Sequence, residues 1–312
     1  MSSKREQLAQ WSTLVADTGD MEAIRTLTPQ DATTNPSLLL AVARDTRHAS
    51  LLDDAGHLAR QLGRNDSLAL RCDAFATLTG QVILGTIPGL VSTEVDARLS
   101  FDTLATVERA RGLIALYREL GVDTDRILIK IAATWEGIQA AAILEQEGIR
   151  CNLTLVFCLE QALAAAQHCA TLISPFVGRI YDWHVKRGLE VSDPDNDPGV
   201  QSVREIFHTL KSQGLDTIVM GASFRTAAQV EALSGCDRLT ISPALLEALH
   251  ADHSPLTRQL DASEVPLGEA TPLLSEAAFR WALNDNPMAS DLLSDGIRRF
   301  ARDQEALEQL LA

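Results

Sequence analysis

No uncharged apolar run in the sequence reaches the roughly 18 residues that a membrane span requires, and the opening MSSKREQLAQWSTLVADTGD holds no apolar core of signal-peptide length. These absences lead us to expect a cytoplasmic protein with no membrane partner. Positive charge is also scarce: 27 Lys plus Arg stand against 42 Asp plus Glu, a net charge of −15. Such a field repels phosphate backbones and anionic lipid, so nucleic acid is not expected as a partner. An anionic small substrate would need local arginines to overcome that background. The 5 cysteines form no CxxC pair and no metal-ligand spacing, and their odd number fits a reducing compartment. The histidines are scattered, and no GxGxxG or GxxxxGK[ST] follows a strand, so neither a metal nor a nucleotide cofactor is expected.

What is present is a regular beat. In 312 residues, 46% hydrophobic and 22% charged, short apolar runs alternate with helix-period segments. Strands are predicted at 12–17, 31–35, 90–96, 127–132, 151–157, 172–177, 216–221 and 238–243. Helices are predicted at 102–120, 135–147, 159–169, 198–213 and 225–232, with extra helical material at 47–85 and a C-terminal helical tail at 275–312. An acidic loop, LEVSDPDNDPG, occupies 189–199. Eight strands alternating with helices in one chain indicate an α/β fold, a (β/α)8 TIM barrel with extra helices; a doubly wound open sheet is the alternative. No linker or low-complexity tract interrupts it, so residues 1–312 read as one domain.

Polar residues recur at alternate positions of these strands and therefore share a face. Lys130 opposes Ile129 and Ile131 in ILIKIA; Ser92, Glu94 and Asp96 oppose Val91, Thr93 and Val95; Asn152 and Thr154 oppose Leu153 and Leu155. DATTN supplies Asp31, Thr33 and Asn35, LISPF supplies Ser174 and Phe176, and Asp17 ends the first strand. Each has a plain structural use. A strand lysine can snorkel, Asn35 before Pro36 can be a helix N-cap, and Asp17 can be a turn residue. Their agreement in phase favours one polar pocket at the carboxyl ends of the strands. An amine kept from water gives up its proton more readily, and neutral amine condenses with a carbonyl to a Schiff base. A carboxylate that takes the proton of the neighbouring hydroxyl then lets a carbon–carbon bond break. A second pair of segments, SPFVGR (174–179) and GASFR (221–225), each end in Arg after a late strand, where phosphate binding is common in this fold, and suggest a sugar phosphate.

DATTNPSLLL (31–40) and ILIKIAATWEG (127–137) resemble the two signature segments of the transaldolase family, specifically its long class I members of the pentose phosphate pathway. Segments at 15–20, 91–100, 151–157, 173–180, 219–225 and 235–246 are similar in the same order, while 188–198 and 251–270 match poorly. The resemblance implies that Lys130 forms the Schiff base and that Asp17 is the general acid/base. It implies that Glu94 works with Thr154 through a water molecule in dehydrating the carbinolamine. It places Thr33, Asn35, Ser92, Asn152 and Ser174 on the dihydroxyacetone part and Arg179, Ser223 and Arg225 on the phosphate. The implied reaction moves a dihydroxyacetone unit from sedoheptulose 7-phosphate to glyceraldehyde 3-phosphate in a homodimer. Phe176, which cannot donate a proton, favours transfer over the release catalysed by the similar fructose 6-phosphate aldolases. An idle sugar-phosphate-binding protein on the same fold is the reading from another class.

Overall fold

A computed structural model describes residues 2–61 and 67–312. Eight parallel strands close into a barrel in sequence order: β1 (Thr13–Asp17), β2 (Asp31–Thr33), β3 (Val91–Glu94), β4 (Ile127–Ala132), β5 (Cys151–Val156), β6 (Leu172–Pro175), β7 (Ile218–Gly221) and β8 (Arg238–Ile241), with β8 back against β1. Most are shorter than the sequence suggests. The paired core of β3 ends at Glu94 and that of β2 at Thr33, because the carboxyl-end residues leave the ladder to build loops and helix caps.

The helices are α1 (Lys4–Leu8), α2 (Met21–Leu27), α3 (Pro36–Arg44), α4 (Ala49–Gln61), α5 (Leu68–Leu84), α6 (Thr103–Glu119) and α7 (Trp135–Gln146). They continue with α8 (Leu159–Gln167), α9 (Val177–Val185), α10 (Pro198–Ser212), α11 (Ala227–Glu231), α12 (Pro243–Ala251), α13 (Glu276–Asp285) and α14 (Pro287–Leu311). The helical material expected at 47–85 is α4 and α5; its part at 62–66 lies outside the described residues. Among the described residues no helix is long and apolar enough to cross a membrane.

Outward strand residues such as Ile127, Ile129, Ile131 and Leu153 pack against the helix ring in the main core. The interior toward the amino ends is a separate dry layer of Val15, Leu128, Leu172 and Met220. Arg238 of β8 pairs there with Asp31, whose Oδ1 also accepts the Leu90 N–H at 2.7 Å. Asp31 therefore does not join the polar pocket, although it shares the phase of Thr33.

A third apolar group covers the carboxyl end, where α14 lies across the barrel. Asn286 caps this helix through the Ala289 N–H at 3.0 Å, with Pro287 at its first position. Its buried stripe, Ala289, Leu293, Gly296, Ile297, Phe300, Gln304, Leu307 and Leu311, follows three- and four-residue steps. The alternation expected in β5 breaks at Leu155. The register with β6 shifts between Leu153 and Val156, and Leu155 takes φ 58°, so it packs on α14 with Phe157 and Phe176 rather than on the outer helices. A Cβ on Gly296 would come within 2.8 Å of the Leu155 side chain, so any larger residue there would displace Leu155.

Candidate active site

Strand pairing sets the centre of the site. Glu94, Lys130 and Asn152 are lateral partners on β3, β4 and β5, so one row of the sheet presents a carboxylate, an amine and an amide. Lys130 is 5 % exposed. Its Nζ donates to the Thr34 carbonyl at 3.1 Å and stands 3.3 Å from Glu94 Oε2. A buried ammonium is costly unless paired, and these two groups offset that cost. Asp17 lies at the end of β1, in register with Thr33 of β2, whose hydroxyl donates to Asp17 Oδ1 at 3.2 Å. Burial raises the pKa of both Asp17 and Glu94 above the ordinary carboxylate value, and the nearby Lys130 works against that rise.

Lys130 opens onto a cavity of about 70 Å³. Asp17, Thr33 and Asn35 line one side of it, and Thr154, Ser174 and Phe176 another. Arg179 and Ser223 complete the predicted set on this surface. Thr240 and Phe300 also line it, and neither was expected from the sequence. Thr240 occupies the inward position of β8 next but one to Arg238, and its hydroxyl is 2.9 Å from that of Thr33. The same alternation that marks the other strands could have found it. Phe300 comes from α14, far along the chain, where no local pattern signals it.

Ser92 and Asn152 form a layer around the cavity. Asn152 Nδ2 donates to Ser92 Oγ at 3.1 Å, and Ser174 Oγ donates to Asn152 Oδ1 at 2.7 Å. Asn35 is an N-cap as well as a wall: its Oδ1 accepts the Leu38 N–H at 3.0 Å ahead of Pro36. Asp96 turns away from this face, caps the turn Ala97–Leu99 and pairs with Arg98 at 2.6 Å. Two buried polar atoms on the cavity wall have no protein partner, Thr154 Oγ1 and Arg179 Nη1. Such atoms in a native fold mark places where a ligand or water completes the bonding.

The two predicted phosphate arginines differ. Arg225 is held by Asp182 on α9, with Nη2 at 2.9 Å and Nε at 3.1 Å from Oδ2, and its Nη1 faces Ser223 Oγ at 3.4 Å. Arg179 has no carboxylate within salt-bridge distance among the described residues. The loop between them is tight: Ser223 takes φ 61°, and a Cβ on Gly178 would fall 2.3 Å from the Ser223 carbonyl. A larger groove of about 710 Å³ lies at the opposite end of the barrel, between Arg5, Trp11, Gln30 and His250. Its two carboxylates are already engaged, Asp237 with Lys211 at 2.7 Å and Glu6 with the Ser3 N–H at 2.8 Å.

The fold and site together define a (β/α)8 barrel whose carboxyl end carries a buried amine between two acids, with arginines at the rim. The description transaldolase/fructose-6-phosphate aldolase belongs to the family model that matches residues 14–311. A transaldolase of Marinobacter nauticus is 54% identical over 311 residues, covering 99% of this chain and 97% of that protein. A transaldolase of Alteromonas mediterranea is 54% identical over 318 aligned positions, covering 100% and 98%. The chain belongs to the transaldolase/fructose-6-phosphate aldolase family.

Proposed function

We propose that this chain is a transaldolase that moves a dihydroxyacetone unit from a ketose phosphate such as sedoheptulose 7-phosphate to glyceraldehyde 3-phosphate, giving erythrose 4-phosphate and fructose 6-phosphate in the pentose phosphate pathway. The observation that carries this reading is Lys130, flanked by Glu94 and Asn152 in one buried row, opening onto a cavity that Asp17 also lines.

Lys130 Nζ adds to the ketose carbonyl. The carbinolamine loses water with proton transfer from Glu94, which a water molecule relays past Thr154, to give a protonated imine. Asp17 takes the proton from the hydroxyl one carbon beyond the imine's neighbour, the carbon–carbon bond breaks, and its electron pair moves onto the imine to form an enamine. The aldehyde phosphate leaves. The enamine carbon then attacks the acceptor aldehyde, Asp17 returns the proton to the new hydroxyl, and water releases the product ketose and the free amine. Thr33, Asn35, Ser92, Asn152 and Ser174 hold the hydroxyls of the three-carbon unit, and Arg179, Ser223 and Arg225 hold the phosphate. No cofactor enters the scheme.

A second reading, release of free dihydroxyacetone as in an aldolase, is weighed by Phe176. Its ring lies on the cavity wall, edge-on to Phe157 at 5.5 Å between centroids, and offers no proton to the waiting enamine. Incubation with fructose 6-phosphate and erythrose 4-phosphate should yield sedoheptulose 7-phosphate, while fructose 6-phosphate alone should release dihydroxyacetone only slowly. Release without acceptor at the rate of transfer would replace the transferase reading with the lyase. The barrel and the α14 cover act in this reading as one domain in the cytoplasm. A homodimer has apolar side chains available to it, since Phe101, Leu104 and Trp281 are 63, 72 and 66 % exposed.

A further inference from the structure

Arg179 is a half-buried cation with no carboxylate within salt-bridge distance among the described residues. Its guanidinium carbon lies 5.0 Å from the centroid of Phe176 and 5.6 Å from that of Phe300, so two aromatic faces hold it. Phe300 is 2 % exposed and comes from α14, which passes the site at Gly296, where an added Cβ would crowd Leu155 and Arg179 Nη1. The nearest acid of that helix, Asp295, is occupied by Arg299 at 2.6 Å. Ring faces attract a guanidinium through their quadrupole without cancelling its charge. A carboxylate in the same place would compete with an arriving phosphate, which is the situation of Arg225 beside Asp182 at 2.9 Å. The orphaned Arg179 Nη1 is thus a donor kept free of protein acceptors.

We infer that Phe300 is a positioning residue for phosphate recognition: with Phe176 it clamps Arg179 in an uncompensated, oriented state, which makes the C-terminal helix part of the anion site. This rests on the proposed role of Arg179 toward the substrate phosphate. Its consequence is separable from catalysis, because Phe300 acts on binding through Arg179 and not on Lys130.

The test is F300L, with F300Y as the variant that keeps the ring. Calorimetric titration with inorganic phosphate should show affinity lowered roughly three- to thirtyfold in F300L, with the fructose 6-phosphate KM raised by a similar factor and the loss falling on KM rather than kcat. F300Y should bind phosphate nearly as the natural protein does. Where F300L folds poorly, pentafluorophenylalanine at position 300 keeps the shape of the ring and reverses its quadrupole, and it should weaken phosphate to a comparable degree. Natural affinity for phosphate in a folded F300L or in the fluorinated protein would overturn the inference. The titration needs no turnover, so a failure of the transaldolase assay with the natural protein would count against the proposed reaction and leave the Phe300 result to be read on its own.

Discussion

The two ends of one barrel interior are built from the same alternation and finished in opposite ways. Toward the amino ends Val15, Leu128, Leu172 and Met220 fill the space, and the charged pair there, Asp31 with Arg238, is completed by the Leu90 N–H on Asp31. Toward the carboxyl ends Lys130 and Glu94 are buried beside a half-buried Asp17, and Thr154 and Arg179 keep atoms that nothing among the described residues satisfies. Burial of charge alone therefore does not distinguish structure from function in this molecule. What sets the carboxyl end apart is that its buried charges and unpartnered polar atoms meet at one cavity, where a ligand can complete their bonding.

The contrast can be broken most severely at Lys130. K130A should lower turnover roughly 10⁴-fold or more, while its circular dichroism remains that of the folded protein. Collapse of the fold would make the lysine a structural residue like Arg238. D17N comes next, with a loss of roughly 10²- to 10⁴-fold in transfer. It should retain Schiff-base formation with fructose 6-phosphate, since Asp17 acts after the imine exists. Loss of the imine in D17N would move Asp17 to an earlier step.

At the other end R238M should cost about 3 kcal/mol of stability by leaving Asp31 buried without its cation, visible in denaturant melts, with kcat/KM within about twofold of natural because the Asp31–Arg238 pair bonds to none of the groups around Lys130. A large kinetic defect there would erase the difference between the ends. The smallest effect concerns pH. Burial raises the Asp17 pKa, and the Thr33 hydroxyl holds it down. Asp17 must be ionised to accept a proton, so the acid limb of kcat/KM should lie above the usual carboxylate range. T33V removes the opposing hydrogen bond and should move that limb to higher pH, whereas a limb moving to lower pH would contradict the assignment.

The barrel and most of its site could be read in the sequence because both depend on periods of two and 3.6 that a linear chain displays. Lys130, Glu94 and Asn152 were expected on one face and prove to be neighbours in one row. Asp31 and Asp96 shared that phase and lie elsewhere, since phase gives the face of a strand and not the height along the barrel. Leu155 broke the alternation because a bulge with φ 58° adds a residue to one strand, an event the pattern of apolar residues does not encode. Thr240 was legible in the inward phase of β8. Phe300 and Asp182 were not, as each meets its arginine through the packing of one helix against another part of the fold.

The most direct measurement is borohydride reduction in the presence of fructose 6-phosphate, followed by peptide mass analysis. We expect one three-carbon adduct on the peptide containing Lys130, and none in K130A. An unmodified Lys130 in protein that turns over substrate, or an adduct on another lysine, would contradict the central claim.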